Sequence, residues 1–180
     1  KEFILQVSSS PIIPLEEILE TNRRSYKLSR ISESTGYREY LINWIKKNIG
    51  GNLSVLSVGA GGGILEEELM KEGFRVKAIE VDESLVKELR SKGIDAIQAD
   101  ATKIREYLSP DYKFDLIIFS ESLGAIEYCG QKGRFTSLDL SFLKDYPQYL
   151  KANGIILITE YPSDHTRKHP LFPVIRMSKE

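Results

Sequence analysis

Four glycines lie within five positions between Gly59 and Gly63, where they separate a short apolar run from an amphipathic one. Glycine adopts positive φ values without strain, and its missing side chain lets a ligand lie against bare backbone. The amphipathic run that begins at Ile64 predicts a helix, whose first N–H groups would favour a carboxylate or a phosphate. This turn is therefore the strongest candidate in the chain for holding a nucleotide-like molecule.

Acidic residues follow the next two apolar runs. Glu80 ends the run Arg75–Glu80, and Asp100 comes directly after Ala96–Ala99. An ionised carboxylate accepts two hydrogen bonds, which suits the adjacent hydroxyls of a ribose, so Glu80 is a candidate for that contact. Asp82 is better explained as the N-cap of the helix that follows it. Asp100 could also cap a helix, and capping does not exclude a second role in binding.

The spacing of the glycines separates two kinds of nucleotide site. The dinucleotide-binding pattern G-x-G-x-x-G/A, started at Gly59 and Gly61, requires glycine or alanine at position 64. That position is Ile64, whose branched side chain would obstruct close packing of the helix on the strand. The chain instead has G-x-G-x-G, ending at Gly63. The pattern therefore opposes a nicotinamide site, and an NAD-dependent oxidoreductase is only an alternative.

Short strands and helices alternate on both sides of this turn. The predicted strands are Ser54–Val58, Arg75–Glu80, Ala96–Ala99, Phe114–Phe119 and Gly154–Thr159. The predicted helices are Tyr37–Ile49, Ile64–Glu72, Ser84–Lys92, Thr102–Leu108 and Leu140–Leu150. Strands that alternate with helices indicate right-handed βαβ units. We therefore expect a doubly wound α/β fold, with a mostly parallel sheet and helices on both faces.

The G-x-G-x-G turn and the order of these features resemble class I S-adenosylmethionine-dependent methyltransferases. The resemblance covers Ser54 to Thr159 and implies a Rossmann-like fold, S-adenosylmethionine as cofactor and methyl transfer as the activity. At the C-terminal edge only about twenty residues follow Thr159, with room for one further strand within Phe172–Met177, so either the sheet is abbreviated there or the sequence is a shortened one. The residues that the resemblance assigns to the cofactor are Gly59, Ala60, Gly61, Gly63, Glu80, Val81, Asp100, Ala101, Ser120 and Glu121.

The resemblance also gives these residues individual roles. Glu80 would bind the ribose, and Val81 would pack on the adenine ring. Asp100 would accept from the adenine amino group, and the N–H of Ala101 would bond a ring nitrogen. Ser120 and Glu121 would lie nearest the methionine portion, although Glu121 could equally cap a helix or face solvent.

The acceptor side is less defined. We expect Tyr37, Arg38, Tyr161 and His165 to line the acceptor pocket, because they precede the first strand or follow the fifth. Transfer from a sulfonium depends mainly on alignment, so no catalytic residue is assigned. A small-molecule acceptor is expected. The segment from Thr21 to Gly50 carries seven basic and two acidic residues, so a nucleic-acid partner is an alternative, although such a segment is more often a solvated helix face.

Composition limits the remaining possibilities. The 180 residues, 41% hydrophobic and 28% charged with a net charge of -1, fit one domain with a substantial core. Within it we expect a helical substrate segment over residues 1–50, a cofactor-binding core over 51–160 and a C-terminal edge over 161–180. A noncatalytic partner subunit of the same fold is a second alternative.

Single features of the sequence give our expectations about a metal site, a membrane partner and the cellular compartment. His165 and His169 have zinc-like spacing but no evident third ligand, so no metal is expected. No apolar run is long enough for a bilayer, so no membrane partner is expected. The single cysteine, Cys129, favours a reducing compartment, and therefore a cytoplasmic protein.

Overall fold

The computed structural model describes residues 35–123, residue 126, residues 141–159 and residues 177–178. The helices described are α1 (Thr35–Asn48), α2 (Ile64–Lys71), α3 (Glu83–Ser91) and α4 (Ile104–Tyr107). The strands are β1 (Ser54–Val58), β2 (Arg75–Glu80), β3 (Asp95–Gln98), β4 (Phe114–Ser120), β5 (Leu150–Thr159) and β6 (Met177–Ser178). Three short 3₁₀ turns span Ala101–Lys103, Ser141–Asp145 and Pro147–Tyr149.

The strands form one sheet in the order β3-β2-β1-β4-β5-β6. The first five are parallel, with Val55 of β1 opposite Val76 of β2 and Leu116 of β4, while β6 runs antiparallel to β5. This confirms the predicted doubly wound α/β fold. The strand order reverses between β1 and β4, and in such sheets a ligand crevice opens at the carboxyl ends of the strands on either side of the reversal.

The core lies on both faces of the sheet, because alternate residues of a strand point to opposite sides. Val55 packs with the apolar residues of α1 and α2, whereas its neighbour Leu56 packs with the opposite cluster. Ile45 of α1 is fully buried and Trp44 packs partly buried in the same cluster, so this helix covers one face of the sheet. The sheet is thus a rigid support for the loops at its carboxyl edge.

Ion pairs also join the first two helices. The Arg38 Nε atom lies 2.9 Å from Glu68 Oε1, and the Lys46 Nζ atom lies 2.6 Å from Glu72 Oε2. The Arg38 side chain is nearly buried, whereas the second pair is exposed. Two of the basic side chains in the Thr21–Gly50 segment therefore bind glutamates of this same chain.

One predicted helix is wrong. Leu140–Leu150 does not form a continuous helix: the described part consists of two 3₁₀ turns, and β5 already begins at Leu150. Pro147 has no backbone N–H and its ring clashes with the preceding turn of an α-helix, so a helix could not continue through it. The predicted strand within Phe172–Met177 overlaps β6 only at Met177, and residues 172–176 lie outside the described part.

In the described part of the chain, none of the helices has the length and apolar character needed to cross a membrane.

Candidate functional site

The glycine turn (Gly59–Gly63) carries the chain from β1 into α2 at the carboxyl edge of the sheet. Its glycines at positions 59, 61 and 63 have φ angles of 73°, 57° and 78°, a region that favours glycine. The N–H groups of Gly59 and Ala60 both donate to the carbonyl oxygen of Ile79, at 2.8 and 3.2 Å. The turn is therefore held against the end of β2.

Close packing adds a second requirement for glycine at both ends of the turn. A Cβ atom on Gly59 would lie 2.6 Å from Ser122 Cβ. A Cβ atom on Gly63 would lie 2.4 Å from Leu89 Cδ2 and 2.9 Å from Ile94 Cδ1. Both distances to the nearest atom are shorter than any ordinary contact, so the turn fits only without side chains at these two positions.

Glu80 ends β2 with its carboxylate turned back onto the glycine turn. Its Oε2 atom accepts from the Gly61 N–H at 2.9 Å. Its Oε1 atom accepts from the N–H groups of Val81 and Asp82, at 2.8 and 3.1 Å. These three bonds use three of the roughly four acceptor positions of a carboxylate, which leaves about one for a ligand. Glu80 is 8% exposed, so its carboxylate does not point into bulk solvent.

The two residues after Glu80 have different environments. Val81 is 49% exposed, so an apolar surface is open beside the turn. The Oδ1 atom of Asp82 accepts from the N–H groups of Ser84 and Leu85, at 2.8 and 3.4 Å, which confirms Asp82 as the N-cap of α3. Packing of Val81 on an adenine ring stays a prediction.

Asp100 and Ala101 follow β3 and are held in place by hydrogen bonds to Thr102 and Tyr146. Asp100 Oδ1 accepts from the N–H and the hydroxyl of Thr102, at 2.9 and 2.7 Å, so Asp100 does cap the short 3₁₀ turn. The buried hydroxyl of Tyr146 donates to the Ala101 carbonyl oxygen at 2.7 Å. Burial raises the pKa of Tyr146, so this hydroxyl stays a donor at any ordinary pH. The adenine contacts of Asp100 and Ala101 stay predictions on a well-anchored loop.

The end of β4 contacts the glycine turn from the other side. Ser122 Oγ donates to the Val58 carbonyl oxygen at 2.7 Å, and the Glu121 N–H donates to the Thr159 carbonyl oxygen at 2.7 Å. Glu121 has φ 55°, a left-handed conformation that is strained for a residue with a side chain. Such strain is concentrated at functional sites. The place of Ser120 and Glu121 beside a ligand stays a prediction.

The structure describes few of the side chains that were predicted to line the acceptor pocket. Arg38 is nearly buried and pairs with Glu68, as described above, so part of its charge is already used within the chain. The backbone of Tyr37 belongs to α1, but its side chain is not described. Tyr161, His165, His169 and Cys129 lie outside the described residues. The acceptor pocket therefore stays a prediction.

Glu66 is a buried acid that the sequence reasoning missed. It stands in the first turn of α2, is 2% exposed and accepts a 2.5 Å hydrogen bond from Ser57 Oγ. A signal was present: Ser57 interrupts an otherwise apolar strand, and Glu66 is three residues before Leu69, on the side of the helix that packs inward.

Acidic groups dominate this edge of the sheet. Glu80 and Glu121 belong to the segments that meet around the glycine turn, while Lys92 Nζ, near the same turn, donates to the Gly62 carbonyl oxygen at 2.5 Å. An acidic crevice favours a ligand that carries positive charge. Within the described residues, no group of three histidine, cysteine or acidic side chains is arranged to hold a metal ion.

A known family and several known proteins match this chain. The family described as "Methyltransferase domain" matches residues 22–178. The chain is 30% identical over 143 residues to the ubiquinone biosynthesis O-methyltransferase of Rickettsia prowazekii, and the match covers 76% of this chain and 51% of that protein. A protein of the same description from Rickettsia typhi is also 30% identical, over 145 residues. The chain thus spans about half the length of these curated relatives.

Solved structures show the same fold at low sequence identity. The plantazolicin methyltransferase BpumL, solved with a substrate analogue and S-adenosylhomocysteine, has a TM-score of 0.59 at 15% identity, covering 81% of this chain and 53% of that one. A sugar N-methyltransferase from Streptoalloteichus has a TM-score of 0.58 at 16% identity, covering 92% and 62%. At these identities the likeness concerns the fold.

Proposed function

This chain belongs to the methyltransferase-domain family, and from that membership we propose that it transfers the methyl group of S-adenosylmethionine to a small-molecule acceptor. The observation that carries the proposal is the contact between the Glu80 carboxylate and the Gly61 N–H. This contact joins an acid suited to a ribose with bare backbone suited to an amino-acid tail. Membership in this family also contradicts the alternative of an NAD-dependent oxidoreductase.

The residues around the crevice fit S-adenosylmethionine. The glycine turn has no side chain at four of its five positions, so its backbone can lie against a ligand. Glu80 keeps about one acceptor position for a ribose hydroxyl. Val81 offers an exposed apolar surface to the base. When bound, S-adenosylmethionine supplies a methyl group on a positively charged sulfur with a good leaving group.

The chain's own contribution is alignment and a favourable field. Holding the two reactants in near-attack geometry supplies on the order of 7–11 kcal/mol of the barrier. The glycine turn and Glu80 would fix the donor, and Glu121 would place a carboxylate at the end of β4, where positive charge is favoured. The roles of Ser120, Asp100 and Ala101 follow the same proposal.

We take a hydroxyl oxygen as the acceptor atom. The support is the description of both curated relatives as O-methyltransferases of ubiquinone biosynthesis, at 30% identity over half of their length. The acceptor that we propose for this chain is therefore a small compound with a phenolic hydroxyl group. These relatives give no support to a nucleic-acid acceptor. A cytoplasmic location also stays a prediction.

Calorimetry tests the donor. We expect the chain to bind S-adenosylhomocysteine and not NAD under the same conditions. Binding of NAD without S-adenosylhomocysteine would contradict the proposal.

A transfer assay tests the activity. With methyl-labelled S-adenosylmethionine and a panel of small phenols, catechols and amines, we expect label on a hydroxyl oxygen. Donor binding with no transfer to any member of the panel would instead favour the noncatalytic partner subunit. Label on nitrogen alone would contradict the choice of oxygen while leaving the donor assignment intact.

A further inference from the structure

The carboxyl group of Glu66, in the first turn of the helix that follows the glycine turn, is buried, and one of its two oxygens has no hydrogen-bond partner among the described residues. Its Oε1 atom accepts from Ser57 Oγ, whereas its Oε2 atom has no hydrogen-bond partner among the residues that the structure describes. A buried polar atom without a partner costs about 1–3 kcal/mol and calls for an explanation. Packing does not supply one, because an apolar side chain of similar size would fill the same space.

The charged groups around Glu66 do not neutralise it by direct contact. Lys92, after α3, donates to the Gly62 carbonyl oxygen and pairs with Glu67 and Glu88. Arg38, from α1, pairs with Glu68 on the same helix as Glu66. Glu80, from the end of β2, adds negative charge.

These surroundings set the protonation of Glu66. Burial raises the pKa of Glu66 to about 7, and the negative charge of Glu80 acts in the same direction. The hydrogen bond from Ser57, the backbone of Glu66 itself and the charge of Lys92 act in the opposite direction. A positive charge added nearby would favour the ionised form, since opposite charges attract strongly where water is excluded.

We propose that Glu66 is a positioning residue of the donor site, and that a cationic ligand held over the glycine turn converts it from the neutral acid to the carboxylate. The inference rests on the proposed function, because S-adenosylmethionine supplies the positive charge through its sulfonium and ammonium groups. The proton leaves Glu66 for the solvent as the ligand binds. Oε2 then accepts a hydrogen bond from the ligand or from a water molecule between them, which satisfies the atom that has no partner in the described residues.

Proton release on binding is the measurement. Calorimetry of S-adenosylmethionine binding, repeated in buffers with different ionisation enthalpies, counts the protons released between pH 6 and pH 8. For the wild-type chain we expect proton release that is largest below pH 7, and an affinity that rises by roughly tenfold between pH 6 and pH 8 relative to that of Glu66→Gln. For Glu66→Gln, whose side chain cannot ionise, we expect only the proton exchange of the ligand's own amino group, which titrates at about pH 7.7–8.0.

The matched control is Glu67→Gln, on the same turn of the helix. The Glu67 side chain is 35% exposed, so removing its charge should leave proton release on ligand binding the same as in the wild type. If Glu66→Gln fails to fold, Ser57→Ala replaces it. That variant removes a hydrogen bond that lowers the pKa of Glu66, so the pH range of proton release should move upward.

The possible failures are distinguishable. Equal proton release by the wild type and Glu66→Gln, or a range unmoved in Ser57→Ala, would overturn the role of Glu66 while the donor assignment stands. If the wild type binds neither S-adenosylmethionine nor S-adenosylhomocysteine at any pH, the proposed function fails, and this inference fails with it.

Discussion

Glu80 combines a structural task with the proposed binding task in one carboxyl group. It accepts from the backbone of the glycine turn and from the two residues that follow it. Because both oxygens are already bonded, the carboxylate cannot rotate away from the crevice when no ligand is present. The proposed ribose contact would therefore need little reorganisation of this side chain, which would reduce the ordering cost of binding.

The contrast between Glu80 and Asp82 tests this account. In Glu80→Gln an amide group replaces one acceptor oxygen and faces backbone donors, so we expect a loss of about 1–3 kcal/mol in stability and at least tenfold weaker S-adenosylhomocysteine binding. Asp82→Ala removes only a helix cap and should cost about 1 kcal/mol with unchanged affinity. Urea unfolding and calorimetry measure the two effects. Equal ligand affinity in the wild type and Glu80→Gln would contradict the ribose assignment.

Glu66 should also make stability depend on pH without any ligand. Its pKa lies at about 7 in the folded chain, against an ordinary value of 4.5. Between these values the folded chain holds a proton that the unfolded chain has lost, so stability falls as pH rises across that window and levels off above it.

The matching experiment compares urea unfolding of the wild type and Glu66→Gln at pH 5 and pH 8. Between pH 5 and pH 8, we expect the free energy of unfolding of the variant to rise relative to that of the wild type by at most about 3 kcal/mol. Glu67→Gln should show no such change. A constant difference between the wild type and Glu66→Gln would mean that Glu66 titrates normally.

At the scale of the elements, the glycine turn connects β1 to α2 and packs closely against α3. Gly63 approaches Leu89 of α3 so closely that no side chain can be inserted, whereas Gly93 has the same backbone conformation with open space around it. Their φ angles are 78° and 79°. The pair separates the backbone cost of alanine from the packing cost.

We expect Gly93→Ala to cost about 1–2 kcal/mol, the penalty of the left-handed conformation alone. Gly63→Ala should cost about 1–3 kcal/mol more, because a new methyl group would overlap Leu89 and Ile94. It should also weaken S-adenosylhomocysteine binding by displacing the turn. Thermal unfolding and calorimetry of both variants provide the comparison. Equal costs in the two variants would contradict the packing argument.

The sequence predicts most elements well where a local pattern determines them. The bounds of β1 and β2 agree with the prediction to the residue, since turn residues lie next to each strand, such as Gly59 after β1 and Gly73 before β2. The Leu140–Leu150 helix is wrong because apolar spacing alone did not register the break at Pro147. Glu66 was missed for a different reason: a glutamate among three in a row is normally expected in solvent, and its hydrogen-bond partner Ser57 is nine positions away on another element.

At the scale of the whole molecule, the edge of the sheet where the parallel strands begin and the edge where they end have different roles. At the edge opposite the glycine turn, Asp115 Oδ2 accepts from the N–H and hydroxyl of Ser54, at 2.8 and 2.7 Å, and from Lys151 Nζ at 2.8 Å. These bonds join β1, β4 and β5 where the strands begin. Burial alone would raise the pKa of Asp115, but the hydrogen bonds from Lys151 and Ser54 lower it.

Asp115→Asn should therefore reduce stability without affecting the donor site. We expect a loss of about 1–3 kcal/mol, because hydrogen bonds to a charged group are weakened together. The contribution is present at neutral pH and is lost as pH falls through the lowered pKa of the folded chain. Denaturant unfolding at pH 7 and calorimetry with S-adenosylhomocysteine measure both properties. A large drop in ligand affinity would show that the two edges are coupled.

The cluster at Asp115 also affects how readily this chain can acquire new specificities. Replacements that alter the choice of acceptor usually reduce stability, and a chain near its stability threshold tolerates few of them. Because Ser54 and Asp115 lie at the far edge from Glu121, stabilising substitutions around them would provide a reserve without disturbing the reactive side. A variant strengthened there is the better parent for directed evolution towards unfamiliar acceptors.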